Sequence, residues 1–295
     1  MPDLEHTVIG VVFAVCAAIM YLGAVPYYTL RHVGPGKPPP MPSGNVSIAG
    51  FGIVDAVGVS MFFGWYALNW AVAIRQGVDL SEAENLPVLL AAQLGLQFFM
   101  VAAVILLLCW RTNLVTAAGI RFRRWPWLLI IAPLTVFIMW SFMAILESAG
   151  YNKWISELVG GDAQQEAVKM ISENGDALSL AMMAVVACVG APLAEEVVFR
   201  GYIYTALKRF SNIPVAILFS GLLFGAVHMN LAALLPLTVL GIVLALLYEG
   251  TGSIWAPIAV HFTFNLATVT LQFLMRVNPE FFEELEKNAA FIGLG

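Results

Sequence analysis

The stretch APLAEEVVFRGYIY, Ala191 to Tyr204, places two adjacent glutamates and an arginine inside an otherwise apolar run. A charged group at the centre of a membrane costs about 2.5–3.5 kcal/mol on insertion scales, so such groups face one another or a wet cavity. Glu196 and Arg200 are four residues apart and share one face of a helix. Glu195 points about 100° away from Glu196 and has no cation near it in the sequence. We therefore expect an ion pair beside a free carboxylate.

The composition around this stretch is typical of a polytopic membrane protein. Of the 295 residues, 60% are hydrophobic and only 11% are charged. Helix is the expected structure, because lipid offers unpaired backbone groups no partners. Runs that can cross a hydrocarbon core of about 30 Å lie near residues 7–29, 50–74, 87–110, 127–148, 177–199, 213–231, 233–249 and 254–275. The sequence thus predicts an all-α membrane protein with about eight transmembrane helices.

Polar residues divide the chain into three regions. Residues 1–176 hold the first four predicted helices, and their polar groups are scattered. Residues 177–275 hold the other four helices and the clustered ionisable groups, and residues 276–295 form an acidic tail. Asp55 is an isolated intramembrane acid for which the sequence names no partner, and Glu249 is expected to be solvated at a helix end. The three cysteines are expected to be buried free thiols.

Two histidines and an asparagine are expected to meet the glutamates. An antiparallel hairpin is predicted with its turn at Ser211 to Pro214. Glu196 lies sixteen residues before Asn212 and His228 sixteen after it, so both would reach the same depth, roughly 24 Å from the turn. His261 and Asn265 share one face of the last predicted helix.

These side chains supply the parts for peptide hydrolysis without a covalent intermediate. A carboxylate and an imidazole in a partly dry site can hold a water molecule and deprotonate it. An amide and a second imidazole can donate hydrogen bonds to the developing oxyanion. The Gly-x-Ser-x-Gly pattern of a serine nucleophile does not occur in the sequence.

Three ordered motifs carry a resemblance to a known family. EEVVFR (Glu195 to Arg200), FGAVH (Phe224 to His228) and HFTFN (His261 to Asn265) resemble the EExxxR, FxxxH and HxxxN motifs of the CAAX prenyl protease and bacteriocin-processing (CPBP, Abi or Rce1-like) intramembrane proteases. The resemblance covers roughly Ala181 to Ala267. It implies an eight-helix membrane fold with an intramembrane catalytic cavity that is open to water.

The resemblance also implies a role for each motif residue. Glu195 would be the general base that activates water, and His228 would help to hold that water. Glu196 and Arg200 would form a supporting ion pair, while His261 and Asn265 would line the oxyanion side. No cofactor is expected, although Glu195, His228 and His261 could ligate zinc; the spacing of an HExxH zinc site is absent.

The sequence leaves alternative functions and partners open. A catalytically silent membrane scaffold or bacteriocin-immunity protein would share the same fold, and a proton-coupled transporter would use the carboxylates as a relay. An enzyme would act on a peptide or protein substrate at the membrane, with a prenylated substrate among the options. The lipid bilayer is the other expected partner, in a prokaryotic cell (inner) membrane. No basic, aromatic-interleaved segment indicates nucleic acid.

Overall fold

All regular secondary structure in the described residues is helical. The computed structural model describes residues 2–32, 44–76, 86–120, 125–159, 177–282 and 284, and no strand occurs among them. The all-α fold expected from the composition is confirmed. Most of the acidic tail and most of the acidic loop before residue 177 lie outside the described residues. The division into three regions stays a prediction.

Ten helices are present in the described ranges. They are α1 (Pro2–His32), α2 (Ile53–Gln76), α3 (Leu86–Leu108), α4 (Leu114–Ala117), α5 (Leu128–Ser148), α6 (Tyr151–Val159), α7 (Ala177–Phe210), α8 (Ile213–Ala226), α9 (Leu231–Thr251) and α10 (Trp255–Val277). A 3₁₀ turn at Trp125–Trp127 leads into α5.

Each predicted span coincides with one of these helices, but the count of eight is approximate. Six helices are long and apolar enough to cross a membrane, in α1, α3, α5, α7, α9 and α10. Large apolar side chains such as Phe99 and Phe137 are 69% exposed on the protein surface, as expected where lipid is the solvent. The chain is therefore an integral membrane protein.

α7 is longer than the predicted span 177–199, because it continues to Phe210 and comprises 34 residues. Two of its segments, Val186–Gly190 and Glu196–Tyr204, are π-helical. π-Helical turns are wider than α-helical turns and occur mostly at functional sites. In each segment a backbone carbonyl group accepts a hydrogen bond from a side chain. Asn265 donates to the Ala187 oxygen, and Thr205 donates to the Arg200 oxygen. The wide turns thus lie in the stretch that carries the two glutamates.

α8 is shorter than the predicted span 213–231. It begins after Asn212, whose side chain accepts a hydrogen bond from the Val215 amide, so the turn expected at Ser211 to Pro214 is confirmed. It ends at Ala226, and fourteen residues extend only about 21 Å. His228 therefore lies in the connection to α9, not inside a helix. Met229 in the same connection has a left-handed backbone, with φ of 52°.

α8 and α9 pack closely through glycines. A Cβ on Gly241 of α9 would lie 2.8 Å from the Gly221 Cα, and a Cβ on Gly225 would lie 2.7 Å from the Leu234 oxygen. Small residues four apart allow helix backbones to approach closely in membranes. This approach brings the backbone of α9 to the face of α8 that carries Phe224.

Asp55 has a partner that the sequence did not reveal. Arg111, three residues beyond the end of α3, binds both oxygens of the Asp55 carboxylate at 2.7 Å. The same carboxylate accepts a hydrogen bond from the Gly52 amide at the start of α2. Asp55 therefore joins α2 to the end of α3.

The expectation that Glu249 is solvated is wrong. Glu249 is only 9% exposed. Its carboxylate accepts hydrogen bonds from Lys208 at 2.8 Å, from the Tyr204 hydroxyl at 2.6 Å and from the Asn45 amide at 2.7 Å. The reason is that the segment at residues 44–46 covers the end of α9 and excludes water from it.

The three cysteines are free, as expected. Cys16 and Cys188 are buried, but Cys109 is exposed, so its predicted burial is wrong. Cys109 lies just after the last residue of α3, and its side chain faces away from the protein interior.

Candidate active site

Glu196 lies at the centre of a buried hydrogen-bond network between α7 and α10. Its Oε1 atom accepts hydrogen bonds from Arg200 Nη1 at 2.9 Å and from His261 Nδ1 at 2.8 Å. Glu196 and Arg200 are fully buried, and His261 is 4% exposed. The expected contact between Glu196 and Arg200 is therefore present. His261 binds the same carboxylate oxygen as a second donor.

Arg200 also binds α9 and α8. Its Nη2 donates to the Gly241 carbonyl oxygen at 3.0 Å. Its guanidinium carbon lies 4.5 Å from the centroid of the Phe224 ring, which is a cation–π contact. A buried cation is stable only when its partners replace water. Here a carboxylate, a carbonyl and an aromatic face from three helices do so.

The Phe224 ring lies next to both motif histidines and to Phe199. Its centroid is 5.0 Å from that of His228, 5.7 Å from that of His261 and 5.3 Å from that of Phe199, all in edge-to-face geometry. Phe224 is fully buried. One aromatic side chain thus sets the spacing between the two imidazoles and the arginine.

The tautomer of His228 follows from its hydrogen bond. Its Nδ1 atom lies 2.8 Å from the Phe224 carbonyl oxygen. A carbonyl can only accept, so Nδ1 carries the proton and Nε2 of the neutral ring is left as an acceptor. His261 is oriented in a similar way, because its Nδ1 faces the Glu196 carboxylate.

Glu195 differs from its neighbour Glu196 in its surroundings. The side chain is half-buried, and its Oε2 atom is buried with no hydrogen-bond partner. Glu196 Oε2 and Arg200 Nε are also buried without partners. Buried polar atoms of this kind usually form hydrogen bonds with a water molecule or a ligand. This part of α7 is therefore suited to bind a water molecule and a substrate.

Asn265 extends the network to the first π-helical segment of α7. Its Nδ2 atom donates to the Ala187 carbonyl oxygen at 2.8 Å. The amide nitrogen has two hydrogens, and one is used in this contact. The second hydrogen is available to another acceptor.

A metal site needs at least three ligating side chains close together. No three His, Cys, Asp or Glu side chains among the described residues are grouped closely enough to hold a metal ion. His261 Nδ1 and His228 Nδ1 are already engaged by protein oxygens. These contacts use Nδ1 and leave Nε2 of each ring, as is common in metal-bound histidines, so zinc binding by Glu195, His228 and His261 stays a prediction.

An apolar groove with a volume of about 360 Å³ lies beside these residues. It is lined by side chains of α7 and α10, among them Cys188, Pro192, Ile258 and Phe262, and by Trp125 of the 3₁₀ turn and Leu128 at the start of α5. Phe262 follows His261 in the chain, and Pro192 lies one turn before Glu195 and Glu196. The groove thus runs along the outside of the same two helices whose inner faces carry the network.

Sequence reasoning missed several members of this site. Phe224 was within a recognised motif, but nothing in the pattern gave its contacts with three other motif residues. The carbonyl groups of Gly241 and Ala187 are invisible in a sequence, because any residue supplies a carbonyl. Tyr202 and Tyr204, which lie near the glutamates in sequence, point elsewhere: Tyr204 binds Glu249, and the Tyr202 ring packs on Phe51 and Phe62.

The comparison with protein families supports the motif assignment. Residues 177–267 match the family described as type II CAAX prenyl endopeptidase Rce1-like. This segment is Rce1-like. It contains Glu195, Glu196, Arg200, Phe224, His228, His261 and Asn265. The resemblance seen in the three motifs is therefore confirmed over this Rce1-like segment.

A curated bacterial protein is also similar to this chain. The "Putative membrane peptidase YdiL" of Bacillus subtilis (strain 168) is 34% identical over 143 residues, which cover 46% of this chain and 56% of the relative. The chain thus matches little more than half the length of that relative. No solved structure matches. The apolar helices and the bacterial relative assign the chain to a prokaryotic cell membrane.

Proposed function

We propose that this protein is an intramembrane endopeptidase that hydrolyses a peptide bond with a water molecule activated by Glu195. The observation that carries the proposal is the buried, unpartnered Oε2 atom of Glu195 beside the network of Glu196, Arg200 and His261. The similarity of residues 177–267 to CAAX prenyl endopeptidases and the name of the bacterial relative support a membrane peptidase.

Water activation is assigned to Glu195 and His228. The Nε2 atom of His228 accepts a hydrogen bond from the water and holds it, since Nδ1 is engaged with the Phe224 carbonyl. Glu195 takes a proton from this water as the oxygen attacks the carbonyl carbon of the substrate. The protonated Glu195 then donates its proton to the leaving amine as the carbon–nitrogen bond breaks.

Stabilisation of the oxyanion is assigned to His261 and Asn265. The Nδ1–H of His261 donates to Glu196 Oε1 and orients the ring, so that the Nε2–H of the doubly protonated ring faces the oxyanion. Asn265 donates with the amide hydrogen that is not used by the Ala187 carbonyl. Removal of one such donor typically costs 10²–10³-fold in kcat.

The substrate is a membrane-associated peptide whose apolar part occupies the groove between α7 and α10. The groove is lined by apolar residues such as Ile258 and Phe262, and it follows the two helices that carry the reacting groups. An apolar transmembrane segment of the substrate or a prenyl group fits this lining. Burial of apolar surface is favourable and requires no hydrogen-bond partner. The prenyl option follows from the description of the matching family.

Cleavage by the purified protein tests the proposal. A fluorescence-quenched peptide ending in a farnesylated Cys-aliphatic-aliphatic-X sequence and its unprenylated form are incubated with wild type and Glu195→Gln in proteoliposomes. In parallel, peptides released from membranes of cells that express each variant are compared by mass spectrometry. Cleavage by wild type and its loss in Glu195→Gln are expected.

Matched controls separate the possible mechanisms. Both variants must give the same melting temperature, because Glu195 has no partner to lose at Oε2. Treatment of wild type with a chelator tests the zinc option, and unchanged cleavage is expected. Equal cleavage by wild type and Glu195→Gln would reject the proposed role of Glu195, and the silent scaffold would then be the better hypothesis.

A further inference from the structure

A tyrosine from outside the Rce1-like segment reaches the candidate active site. Tyr66 lies in α2, and its ring centroid is 5.8 Å from that of Phe199 on α7. Phe199 follows Glu195 by four residues, about one helical turn. The Tyr66 hydroxyl interacts electrostatically with the Glu195 carboxyl group. α2 thus supplies a polar group to the side of α7 on which the candidate base lies.

The hydroxyl of Tyr66 is a hydrogen-bond donor without a strong acceptor. In the described part of the chain, its hydrogen bond is to the Met100 sulfur on α3, at 3.9 Å. A thioether sulfur is a weak acceptor. Glu195 Oε2, in turn, is a strong acceptor that is buried without a partner. Donor and acceptor therefore lie in the same buried region, and each lacks the partner that the other provides.

We propose that Tyr66 is a positioning residue, whose hydroxyl donates a hydrogen bond to the Glu195 carboxyl group directly or through one water molecule. The packing of Tyr66 on Phe199 fixes the height of the phenol along α7, and Met100 holds the hydroxyl only weakly. In the proposed state the hydroxyl leaves the Met100 sulfur and donates towards the Glu195 carboxylate. The hydrogen bond holds Glu195 in one orientation, while the other carboxylate oxygen takes the proton from water.

Infrared spectroscopy tests the hydrogen bond without a substrate. The purified protein in lipid is titrated to acidic pH, and the carbonyl stretch of protonated Glu195 is assigned by its loss in Glu195→Gln. The variant Tyr66→Phe keeps the ring that packs on Phe199 and removes only the hydroxyl. A shift of the Glu195 band to higher frequency in Tyr66→Phe is expected, because one hydrogen bond is lost. An unchanged band would overturn the proposal.

Kinetics test the consequence for catalysis, which rests on the proposed function. Tyr66→Phe is expected to lower kcat about tenfold, the effect of one hydrogen bond to a charged group, and to leave KM unchanged. Tyr21→Phe is the matched control, because it also removes one tyrosine hydroxyl, and that hydroxyl donates to Ser60 on α2. An unchanged kcat in Tyr66→Phe would contradict the inference.

A double-mutant cycle distinguishes a positioning role from a structural one. If Tyr66 acts through Glu195, the loss caused by Tyr66→Phe differs between the wild-type and Glu195→Asp backgrounds, whereas independent effects multiply. Multiplicative losses, or a lower melting temperature of Tyr66→Phe that explains its lower activity, would overturn the proposal. Cleavage that survives in Glu195→Gln would reject the proposed function, and the infrared result would still decide the hydrogen bond.

Discussion

Glu196 Oε1 and His261 Nδ1 are 2.8 Å apart, although 65 positions separate the two residues in the chain. This contact joins α7 to α10, and Arg200 binds the same oxygen. Glu196 therefore has two partners inside the protein, whereas Oε2 of the adjacent Glu195 has none. The two neighbouring carboxylates thus differ in their partners, as the proposed roles of Glu196 in support and Glu195 in reaction require.

The first prediction separates the two glutamates by their neutral variants. Glu196→Gln removes the carboxylate that binds the fully buried Arg200, and breaking a buried pair costs about 3–5 kcal/mol. We expect a clearly lower melting temperature in detergent for this variant. Glu195→Gln is expected to keep the wild-type melting temperature and to lose cleavage by at least about 10²-fold. Similar melting temperatures for both variants would contradict the assigned difference.

The second prediction concerns the Phe224 ring. Phe224→Leu removes the aromatic face from Arg200 and the edge contacts with both imidazoles, and a desolvated cation–π contact is worth about 2 kcal/mol. We expect lower stability and also lower kcat, because the spacing of His228 and His261 is lost.

Phe219→Leu provides the matched control for this prediction. Phe219 lies in the same helix and is buried in the same apolar core, but among the described residues the ring contacts to the two imidazoles come from Phe224. It is expected to lose stability by a comparable amount and to keep its kcat once folded. An equal loss of kcat in both variants would show that Phe224 acts only through packing.

Local patterns predicted the contacts that one helix can make. Glu196 and Arg200 form their pair because four residues make about one helical turn, and this rule holds even in the widened segment of α7. The position of the turn at Asn212 was also readable, since an Asn cap followed by proline is a local signal.

Contacts between helices could not be predicted from local sequence patterns. His228 was expected at the depth of Glu196 inside a helix, but α8 ends at Ala226 and the imidazole lies in a turn. Periodicity does not show where an apolar run stops being helical. Glu249 was expected in solvent because it ends a helix, but the segment that covers it is distant in sequence. Burial by distant segments has no local signal.

The third prediction concerns the close approach of α8 and α9. A methyl group on Gly241 would lie 2.8 Å from the Gly221 Cα, so one backbone must move. The Gly241 carbonyl also binds Arg200, and its displacement would disturb the network. Gly241→Ala is therefore expected to lower the melting temperature and the cleavage rate together.

Gly250→Ala is the control for Gly241→Ala. A Cβ at Gly250 meets nothing within 4 Å, in the same helix α9. Because alanine is favoured over glycine in a helix by about 1 kcal/mol, this variant should be as stable as wild type or slightly more stable. A loss of stability in Gly250→Ala as large as that in Gly241→Ala would contradict the steric explanation.

The fourth prediction concerns the apolar groove. Ala259 lines it, and Ala259→Trp would place an indole ring in the space assigned to the apolar part of the substrate. We expect a higher KM for the peptide substrate at an unchanged melting temperature. Thr270→Trp introduces the same side chain at an exposed position of the same helix α10 and should leave KM unchanged. Equal kinetics in the two variants would show that the groove does not bind substrate.

The fifth prediction concerns the buried pair of Lys208 and Glu249. Lys208 is fully buried, and its Nζ atom is 2.8 Å from Glu249 Oε2 and 2.8 Å from the Val46 carbonyl oxygen. Lys208→Met leaves the Glu249 carboxylate without its cation, so we expect the free energy of unfolding to fall by about 3–5 kcal/mol.

The double variant Lys208→Met with Glu249→Met removes both charges and should recover part of this loss, because no buried charge is left unpaired. The recovery stays partial, since Glu249 also accepts hydrogen bonds from Tyr204 and Asn45. Melting temperatures of the two variants in the same detergent decide the point, and a double variant less stable than the single one would show that these other hydrogen bonds outweigh the charge pair.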